Sequence, residues 1–275
     1  MKRHKICKII FAILAVFLCV AFYELIGICI TYKKQPAVSD ATIKETQNIM
    51  SVAGRENTER AVIIEKNSQA LLERVRLIQN AKDEIILSTF AFKSDESGKL
   101  ILGALHDAAD RGVHVRILVD GMESWIDMEG NPYFYGLSSH ENVEIKLYNK
   151  ANPLKPWKTM GRMHDKYLIA DGKIYILGGR NTYNYFLGDF PGHKNFDRDV
   201  LVVCDEPQKD NSVNQLWNYF ETIWEQEDCR YFHNSKKLAD RQSVKKAVLE
   251  LQEGYQQYFE VNKEKICDKD YADET

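Results

Sequence analysis

The sequence lacks several features that would mark particular classes of protein. Its six cysteines form no C-x-x-C pair and are widely spaced, so they indicate neither a zinc site nor a disulfide framework. Lys and Arg total 37 against 40 for Asp and Glu, so no basic excess marks the whole chain as a nucleic-acid-binding protein. There is no internal repeat. What remains is an ordinary globular composition over 275 residues, enough for one large domain or two small ones.

One long apolar stretch is present, at the amino terminus. Lys8 and Lys33 bracket residues 9–32, in which Glu24 is the one charged side chain. A helix needs roughly 20 apolar residues to cross a bilayer core. A cleaved signal peptide would be shorter and would be followed by a small-x-small cleavage site, which we do not find. We therefore expect an uncleaved transmembrane anchor over residues 9–32.

The charges on the two sides of this span predict its orientation. Four basic residues lie in residues 1–8, and two follow the span directly, at Lys33 and Lys34. The positive-inside tendency then places residues 1–8 in the cytoplasm and the bulk of the chain outside. The expected location is the cell membrane, in a single pass, with the main domain extracytoplasmic.

Apolar periodicity divides the rest of the chain. Residues 33–60 are polar and read as a linker, whereas residues 61–230 alternate between strand and helix patterns. Strands predicted at 84–92 and 113–119 flank a helix at 97–111, which implies a parallel pair. The expected fold class is α/β, a mixed sheet flanked by helices.

Two further segments carry predictions about structure. Residues 163–170 and 173–177 flank Asp171-Gly172, a strong signal for a two-residue hairpin. Residues 231–275 are charged, with sparse apolar residues and a helical pattern around 244–258. We expect a helical, charged C-terminal tail that docks elsewhere or serves as a spacer.

The stretch MHDKYLIADGKIYILGGRN, residues 163–181, combines groups suited to a phosphate ester. On an extended strand, His164 and Lys166 point to the same face. The lysine suits a phosphate oxygen as a point charge, and the imidazole can act as a nucleophile or acid–base near neutral pH. Gly179 would let a phosphate approach the backbone, and Asn181 can donate an amide N–H.

This stretch resembles the phospholipase D superfamily, whose motif is H-x-K-x4-D followed six residues later by G-[GS]-x-N. His164, Lys166, Asp171 and the run at 178–181 match every spacing.

The resemblance covers roughly residues 60–230, through the stretches 90–121 and 196–203 in particular. It is best to the N-terminal half of bacterial phospholipase D and cardiolipin synthase-like membrane proteins, and it implies the phospholipase D-like fold.

The resemblance implies a two-step mechanism that needs no metal or other cofactor. One histidine attacks phosphorus to form a phosphohistidine, and a second protonates the leaving alcohol and then activates water or an acceptor alcohol. His164 would be the nucleophile or its acid–base partner, and Lys166, Gly179 and Asn181 would bind the phosphate. Asp171 belongs to the catalytic motif, although we expect it to order the local structure rather than touch phosphorus.

The resemblance also places Asp197 in the catalytic set, at the family position whose carboxylate hydrogen-bonds the histidine ring. The family pattern Trp-Arg-Asp is here Asn195-Phe196-Asp197, and the family often has Ser where Gly179 stands. For Asp197 and Asp199, a solvated junction between loop and strand is nearly as good an interpretation.

The largest departure from the family is that the chain carries one motif where the active site needs two. None of the other six histidines has a lysine two residues on. A homodimer would place two copies of His164 across a twofold axis. Alternatively, a separate half of a two-motif enzyme would supply the second motif.

These features predict an enzyme, a phosphodiesterase or phosphatidyl transferase acting on glycerophospholipids at the membrane. Cardiolipin synthesis, a dimeric endonuclease and an inactive half-enzyme or assembly protein are the alternatives. The near-neutral charge argues mildly against a nucleic-acid partner. Trp157 and Met160, just before the motif, could touch lipid, although an ordinary packed loop is the default interpretation. Basic residues around them could steer an anionic headgroup or lipid surface, with the same default: Lys146, Lys150, Lys155, Lys158 and Arg162.

Overall fold

The structure is a computed structural model that describes residues 2–33, 39–41, 43–44, 59–150, 152, 154–206 and 211–271. The chain divides into two compact units. The first comprises Met1–Asn57 and Ala151–Met160, and the second comprises Thr58–Lys150 and Gly161–Thr275. The expected linker at 33–60 lies largely outside the described residues.

The first unit is built on one long helix, α1 (Lys2–Lys33). Its stretch His4–Ile30 is long and apolar enough to cross a membrane, and its most apolar window has no buried residue. The residues of the expected anchor, 9–32, therefore lie in one continuous helix. A short 3₁₀ helix, Pro156–Met160, belongs to the same unit.

The second unit alternates strands and helices. Its strands are β1 (Glu59–Ile64), β2 (Glu84–Thr89), β3 (His114–Asp120), β4 (Val143–Tyr148), β5 (Tyr167–Ala170), β6 (Ile174–Gly178), β7 (Asp199–Cys204) and β8 (Cys229–Tyr231). Its helices are α2 (Asn67–Asn80), α3 (Glu96–Asp110), α4 (Gly121–Asp127), α5 (Pro132–Ser138), α6 (Ser212–Trp224), α7 (Lys236–Ala239) and α8 (Gln242–Cys267).

These strands form one sheet in the order β1-β7-β6-β5-β2-β3-β4-β8. Strands β2, β3 and β4 run parallel, and the remaining neighbours are antiparallel. The predicted strand–helix–strand unit is confirmed, because β2 and β3 are parallel neighbours in the sheet and α3 connects them in the sequence. The predicted hairpin is confirmed as well, since Asp171 and Gly172 have φ values of 53° and 61° between β5 and β6.

Helices cover both faces of the sheet, as the sequence predicted. On one face, α3 and α8 bury residues such as Leu102 and Leu251 against Ile117 of β3. On the other face, α6 buries Phe220 in the cluster that contains Ile169 of β5. The mixed α/β arrangement therefore has one apolar core on each side of a central sheet.

The strand predicted over 163–170 begins only at Tyr167. The register pair Ser88↔Tyr167 is the last between β2 and β5. Before it, the Met163 N–H donates to the Asp120 carboxylate at 3.0 Å instead of joining a strand ladder. Residues 161–166 therefore form a loop at the sheet edge, and this loop carries the motif histidine and lysine.

Helix α8 occupies most of the segment expected to be a tail. Its buried residues Val244, Ala247, Leu251 and Tyr255 recur every three or four positions and make one narrow stripe in an otherwise charged helix. The stripe packs on α3 at Gly103, where an added Cβ would lie 2.6 Å from the Leu251 carbonyl oxygen. A few apolar residues are enough to pack α8 against α3, because they all lie on one face of the helix.

A buried ion cluster joins β7 to α2. The Oδ2 atom of Asp199 lies 2.9 Å from Arg74 Nη2 and 3.2 Å from Arg180 Nη1. Arg180 Nε also donates to Asn67 Oδ1 at 3.1 Å. A Cβ on Gly178 would collide with the Asp199 carboxylate. Asp199 is thus a buried structural anion, and the solvated-junction interpretation is wrong for it.

Replacing Asp199 with alanine should lower the free energy of unfolding by about 3–5 kcal/mol, because two guanidinium groups would lose their buried counterion. Denaturant titration of the full chain in detergent, followed by tryptophan fluorescence, measures this change. The matched control is Asp205→Ala, which removes an exposed ion pair with Arg60 and should cost less than about 1 kcal/mol. Equal losses in the two variants would contradict the structural role of the cluster.

Candidate active site

Strand direction brings the motif residues to one edge of the sheet, meaning here the side where the strands begin or end and not an edge strand. Strands β2 and β6 run toward this edge, while β5 and β7 run away from it. The carboxyl ends of β2 and β6 and the amino ends of β5 and β7 therefore meet there. This edge carries Phe90, the 161–166 loop, residues 178–181 and Asp197.

His164 lies exposed in the 161–166 loop. Its ring meets the edge of the Phe90 ring, with 4.6 Å between centroids and 63° between planes. Among the described residues, the imidazole has no hydrogen-bond partner. Both ring nitrogens are therefore open to a substrate or to another protein chain.

Lys166 is buried directly beside this histidine. Its Nζ donates to the His164 carbonyl oxygen at 2.6 Å and lies 5.5 Å from the Phe90 ring centroid. Burial lowers the pKa of Lys166, and the charges of Asp165 and Asp197 oppose that shift. The ammonium thus holds the loop backbone and also supplies a positive charge next to the exposed imidazole.

The turn after β6 brings Asn181 and Gly179 to the same edge. Asn181 is buried, and its Oδ1 accepts the Ala91 N–H at 3.2 Å, which orients the carboxamide and leaves its Nδ2 hydrogens for another acceptor. A Cβ on Gly179 would collide with the Asp197 carboxylate. The space that Gly179 leaves open is therefore occupied by Asp197.

Asp197 faces Gly179 and Lys166. Its Oδ1 accepts the Arg198 N–H at 2.8 Å, and its charge acts on Lys166. Within the described part of the chain, Asp197 makes no hydrogen bond to the His164 ring. The expected orienting bond between these two residues is thus not present within this single chain.

Asp171 lies at the opposite edge of the sheet from His164. The four residues of β5 separate it from the motif lysine, which makes five residue steps and a span of about 16 Å. Its carboxylate accepts the backbone N–H groups of Lys82, Asp83 and Glu84 at 2.8–3.2 Å. Asp171 therefore binds the start of β2, and the structure does not bring it to the other motif residues.

Asp120, which sequence reasoning missed, lies beside this site and binds Arg162, which the sequence offered as one of several basic residues before the motif. Arg162 Nε donates to Asp120 at 2.9 Å and its Nη2 to Glu123 at 2.9 Å. The Arg162 guanidinium carbon lies 4.9 Å from the Phe90 ring centroid. The available signal was the position of Asp120 at the carboxyl end of a parallel strand, where α/β folds place functional groups.

Helix α6 also holds the 161–166 loop in place. The Tyr219 hydroxyl donates to Asp165 Oδ2 at 2.8 Å. Burial, together with the neighbouring Asp165 carboxylate, raises the pKa of Tyr219 to about 12. Tyr219 therefore keeps its proton at neutral pH and holds the residue between the motif histidine and lysine.

Together, these groups offer one exposed imidazole, one buried ammonium and one oriented carboxamide. Such a set can supply a nucleophile or acid–base and two donors for the non-bridging oxygens of a phosphate ester. Among the described residues, no group of three or more His, Cys, Asp or Glu side chains could hold a metal ion.

The fold and this edge define a phospholipase D-like domain. The family described as cardiolipin synthase, PLD-like domain, matches residues 75–224, and the chain belongs to this family. The resemblance drawn from the motif is therefore confirmed.

Similar proteins include an uncharacterized protein of Helicobacter pylori strain ATCC 700392 / 26695, 33% identical over 181 residues that cover 61% of this chain and 35% of that protein. Cardiolipin synthase C of Escherichia coli K12 is 29% identical over 154 residues, which cover 51% of this chain and 31% of that protein. This chain thus spans about a third of the length of these relatives. The phosphatidylserine synthase of Haemophilus influenzae Rd KW20 shares the fold, with a TM-score of 0.54, 14% identity and coverage of 80% and 48% of the two chains.

Asp171→Ala should lower the free energy of unfolding by about 2 kcal/mol, because three backbone N–H groups lose their acceptor and alanine disfavours the positive φ. Asp171→Asn, which keeps one acceptor oxygen and tolerates this φ, should lose less. Denaturant titration of both variants measures the order. If Asp171→Ala were as stable as the unsubstituted protein, the contacts of Asp171 with residues 82–84 would contribute nothing to the free energy of unfolding.

Burial lowers the pKa of Lys166 below 10.5, the ordinary pKa of lysine, and a neutral amine binds anions poorly. As the pH rises, oxyanion binding should therefore weaken before the pH reaches 10.5. Calorimetric titration with tungstate between pH 7 and 10 measures this. Lys166→Arg keeps its charge throughout the range, so the same weakening should be absent from that variant. Identical pH profiles for the two proteins would exclude Lys166 as the titrating group.

Proposed function

We propose that this chain provides half of a membrane-anchored phospholipase D-type active site that acts on glycerophospholipids. The observation that carries the proposal is the exposed His164 ring, which has both nitrogens open and contacts the same Phe90 ring as the buried Lys166 ammonium. Membership of the phospholipase D-like family and the similarity to a cardiolipin synthase support it.

In the proposed first step, an imidazole nitrogen of His164 attacks phosphorus and the bond from phosphorus to the leaving alcohol oxygen breaks. Lys166 and Asn181 donate to the non-bridging oxygens and stabilise the charge that develops there. A second imidazole gives its proton to the leaving alcohol. In the second step, that imidazole takes a proton from water or from an acceptor alcohol, whose oxygen displaces His164 from phosphorus.

The second imidazole has to come from outside this motif. A homodimer is the simpler source, because a twofold axis beside His164 would bring two identical exposed rings together. A separate half carrying a second motif is the other source. In either arrangement, Asp197 lies at the same edge and has a carboxylate oxygen available to a ring from the partner.

Transfer of a phosphatidyl group between two phosphatidylglycerol molecules is the second candidate reaction. The similarity to cardiolipin synthase C favours it. Hydrolysis and transfer share the first step. They differ only in whether water or a lipid alcohol attacks phosphorus in the second step.

Helix α1 supports the proposed location of the protein at the cell membrane. Its apolar span of 27 residues suits a single-pass anchor in the cell membrane, and the basic residues before it favour an extracytoplasmic catalytic domain. A tether of this kind raises the local concentration of lipid substrate.

His164→Ala should lower the turnover of phosphatidylglycerol by at least about a thousandfold, because the variant loses the nucleophile or its acid–base partner. The assay uses the full chain reconstituted in phosphatidylglycerol vesicles, with mass spectrometry of the lipid products. His114→Ala is the matched control, because this half-exposed histidine begins β3 at the opposite edge of the sheet and should leave turnover unchanged.

Cleavage of single-stranded DNA without any lipid turnover would contradict the proposal in favour of a nuclease. At concentrations below the dissociation constant of a homodimer, the rate should rise with more than the first power of protein concentration. Added His164→Ala protein should also suppress the unsubstituted protein by forming mixed dimers. A rate strictly proportional to concentration, in a particle of one chain, would exclude the shared site.

A further inference from the structure

Residues 154–160, which precede the motif, contact helix α1. The Tyr23 hydroxyl donates to the Leu154 carbonyl oxygen at 2.8 Å. The rings of Tyr23 and Trp157 meet edge to face, with 4.9 Å between centroids. Both partners belong to the same compact unit. The segment is therefore bound to the helix that is apolar enough to cross a membrane.

Gly27, one turn beyond Tyr23, completes this contact. A Cβ at this position would collide with the Trp157 indole. Among the residues of α1 whose exposure the structure describes, Gly27 is the one buried residue and Glu24 the one half-buried residue. The face of α1 around residues 23–27 is therefore shaped to receive the segment, and it includes the charged residue of the apolar stretch.

The position of this face along α1 sets its depth in a bilayer. At 1.5 Å per residue, Tyr23 lies about 22 Å and Gly27 about 28 Å along the axis from Lys8, the last basic residue before the apolar span. The hydrocarbon core is about 30 Å thick. The contact between the helix and residues 154–160 thus falls at the far boundary of the hydrocarbon, where tyrosine and tryptophan side chains are favoured.

The composition of the segment fits the same boundary. Leu154 and Met160 are 78% and 75% exposed, and they lie with Trp157 in one short segment, so their apolar side chains are grouped rather than scattered. Lys155 and Lys158 are exposed among them and suit lipid phosphates. The segment therefore presents apolar and cationic groups together, on the part of the helix that would reach the headgroups.

We infer that residues 154–160 are a lipid-contacting element that uses α1 as its support and sets the depth of the catalytic histidine at the bilayer surface. This inference rests on the proposed lipid substrate. His164 follows Met160 by four residue steps, at most about 14 Å of chain. With Leu154, Trp157 and Met160 among the headgroups, His164 stays within reach of a phospholipid phosphodiester.

Quenching of Trp157 by brominated lipid tests the contact without any need for activity. The full chain is placed in nanodiscs made with phosphatidylcholine brominated near the glycerol end of the acyl chain. Bromine should quench a component of the emission that disappears in Trp157→Phe. An emission from Trp157 that does not respond to bromine would overturn the inference, and it would also be the result if a second protein copy covered the segment.

Gly27→Leu tests the consequence for catalysis. Its side chain displaces the Trp157 ring while keeping the span apolar, so turnover of bilayer phosphatidylglycerol should fall on the order of tenfold. Turnover of a soluble diester, bis(4-nitrophenyl) phosphate, should stay within about twofold, because the residues at the sheet edge are untouched. The matched control is Ala21→Leu, at an exposed position of the same helix, which should leave both rates unchanged.

The outcomes separate the two proposals. Bromine-sensitive Trp157 emission without any turnover, of lipid or soluble diester, supports the lipid contact and contradicts the proposed function. Lipid turnover that depends on His164 but is unaffected by Gly27→Leu contradicts the role of the segment and leaves the proposed function standing. An equal loss on both substrates in Gly27→Leu also contradicts the inference, because it would indicate damage to the sheet edge.

Discussion

The buried carboxylate of Asp120 determines where the motif loop lies. It is fully buried at the end of β3, where it caps α4 by accepting the N–H groups of Met122 and Glu123. The same carboxylate accepts the Met163 N–H and holds the Arg162 guanidinium. One anion thus ends the strand ladder before β5 and starts the loop that carries His164. Because its partners come from two distant parts of the chain, the loop position is set by the order of the strands.

Burial divides the motif residues into two groups. His164 is exposed and unpaired within the described residues, so it is suited to react, whereas Lys166 is buried and bonded to the loop backbone. The cost of burying an ammonium is offset by nearby carboxylates and by the carbonyl it binds. Asp171 faces the other edge and accepts three backbone donors at the start of β2. The motif is continuous in sequence, yet it stabilises the sheet at one end and carries an exposed imidazole and a buried ammonium at the other.

The proposed membrane location and the proposed second imidazole place related demands on the site. A site on the edge of a sheet, with an exposed histidine, is open both to a partner chain and to a lipid surface. Residues 154–160 contact α1, and His164 follows Met160 by four positions in the sequence. These features support the proposed phospholipid substrate, whose phosphodiester lies at the headgroup level while its acyl chains stay in the membrane.

Local patterns in the sequence were enough for the features that depend on neighbours in the chain. These are the apolar helix, the parallel strand–helix–strand unit and the Asp171-Gly172 hairpin. Tertiary structure alone decided the start of β5, the Arg162–Asp120 pair 42 residues apart and the Asp171 contacts 87–89 residues away. It also decided that the sparse stripe of α8 packs on α3. The physical reason is that these contacts follow from which strand ends and helix faces meet, and that depends on the strand order of the whole sheet rather than on the spacing of residues along any one segment.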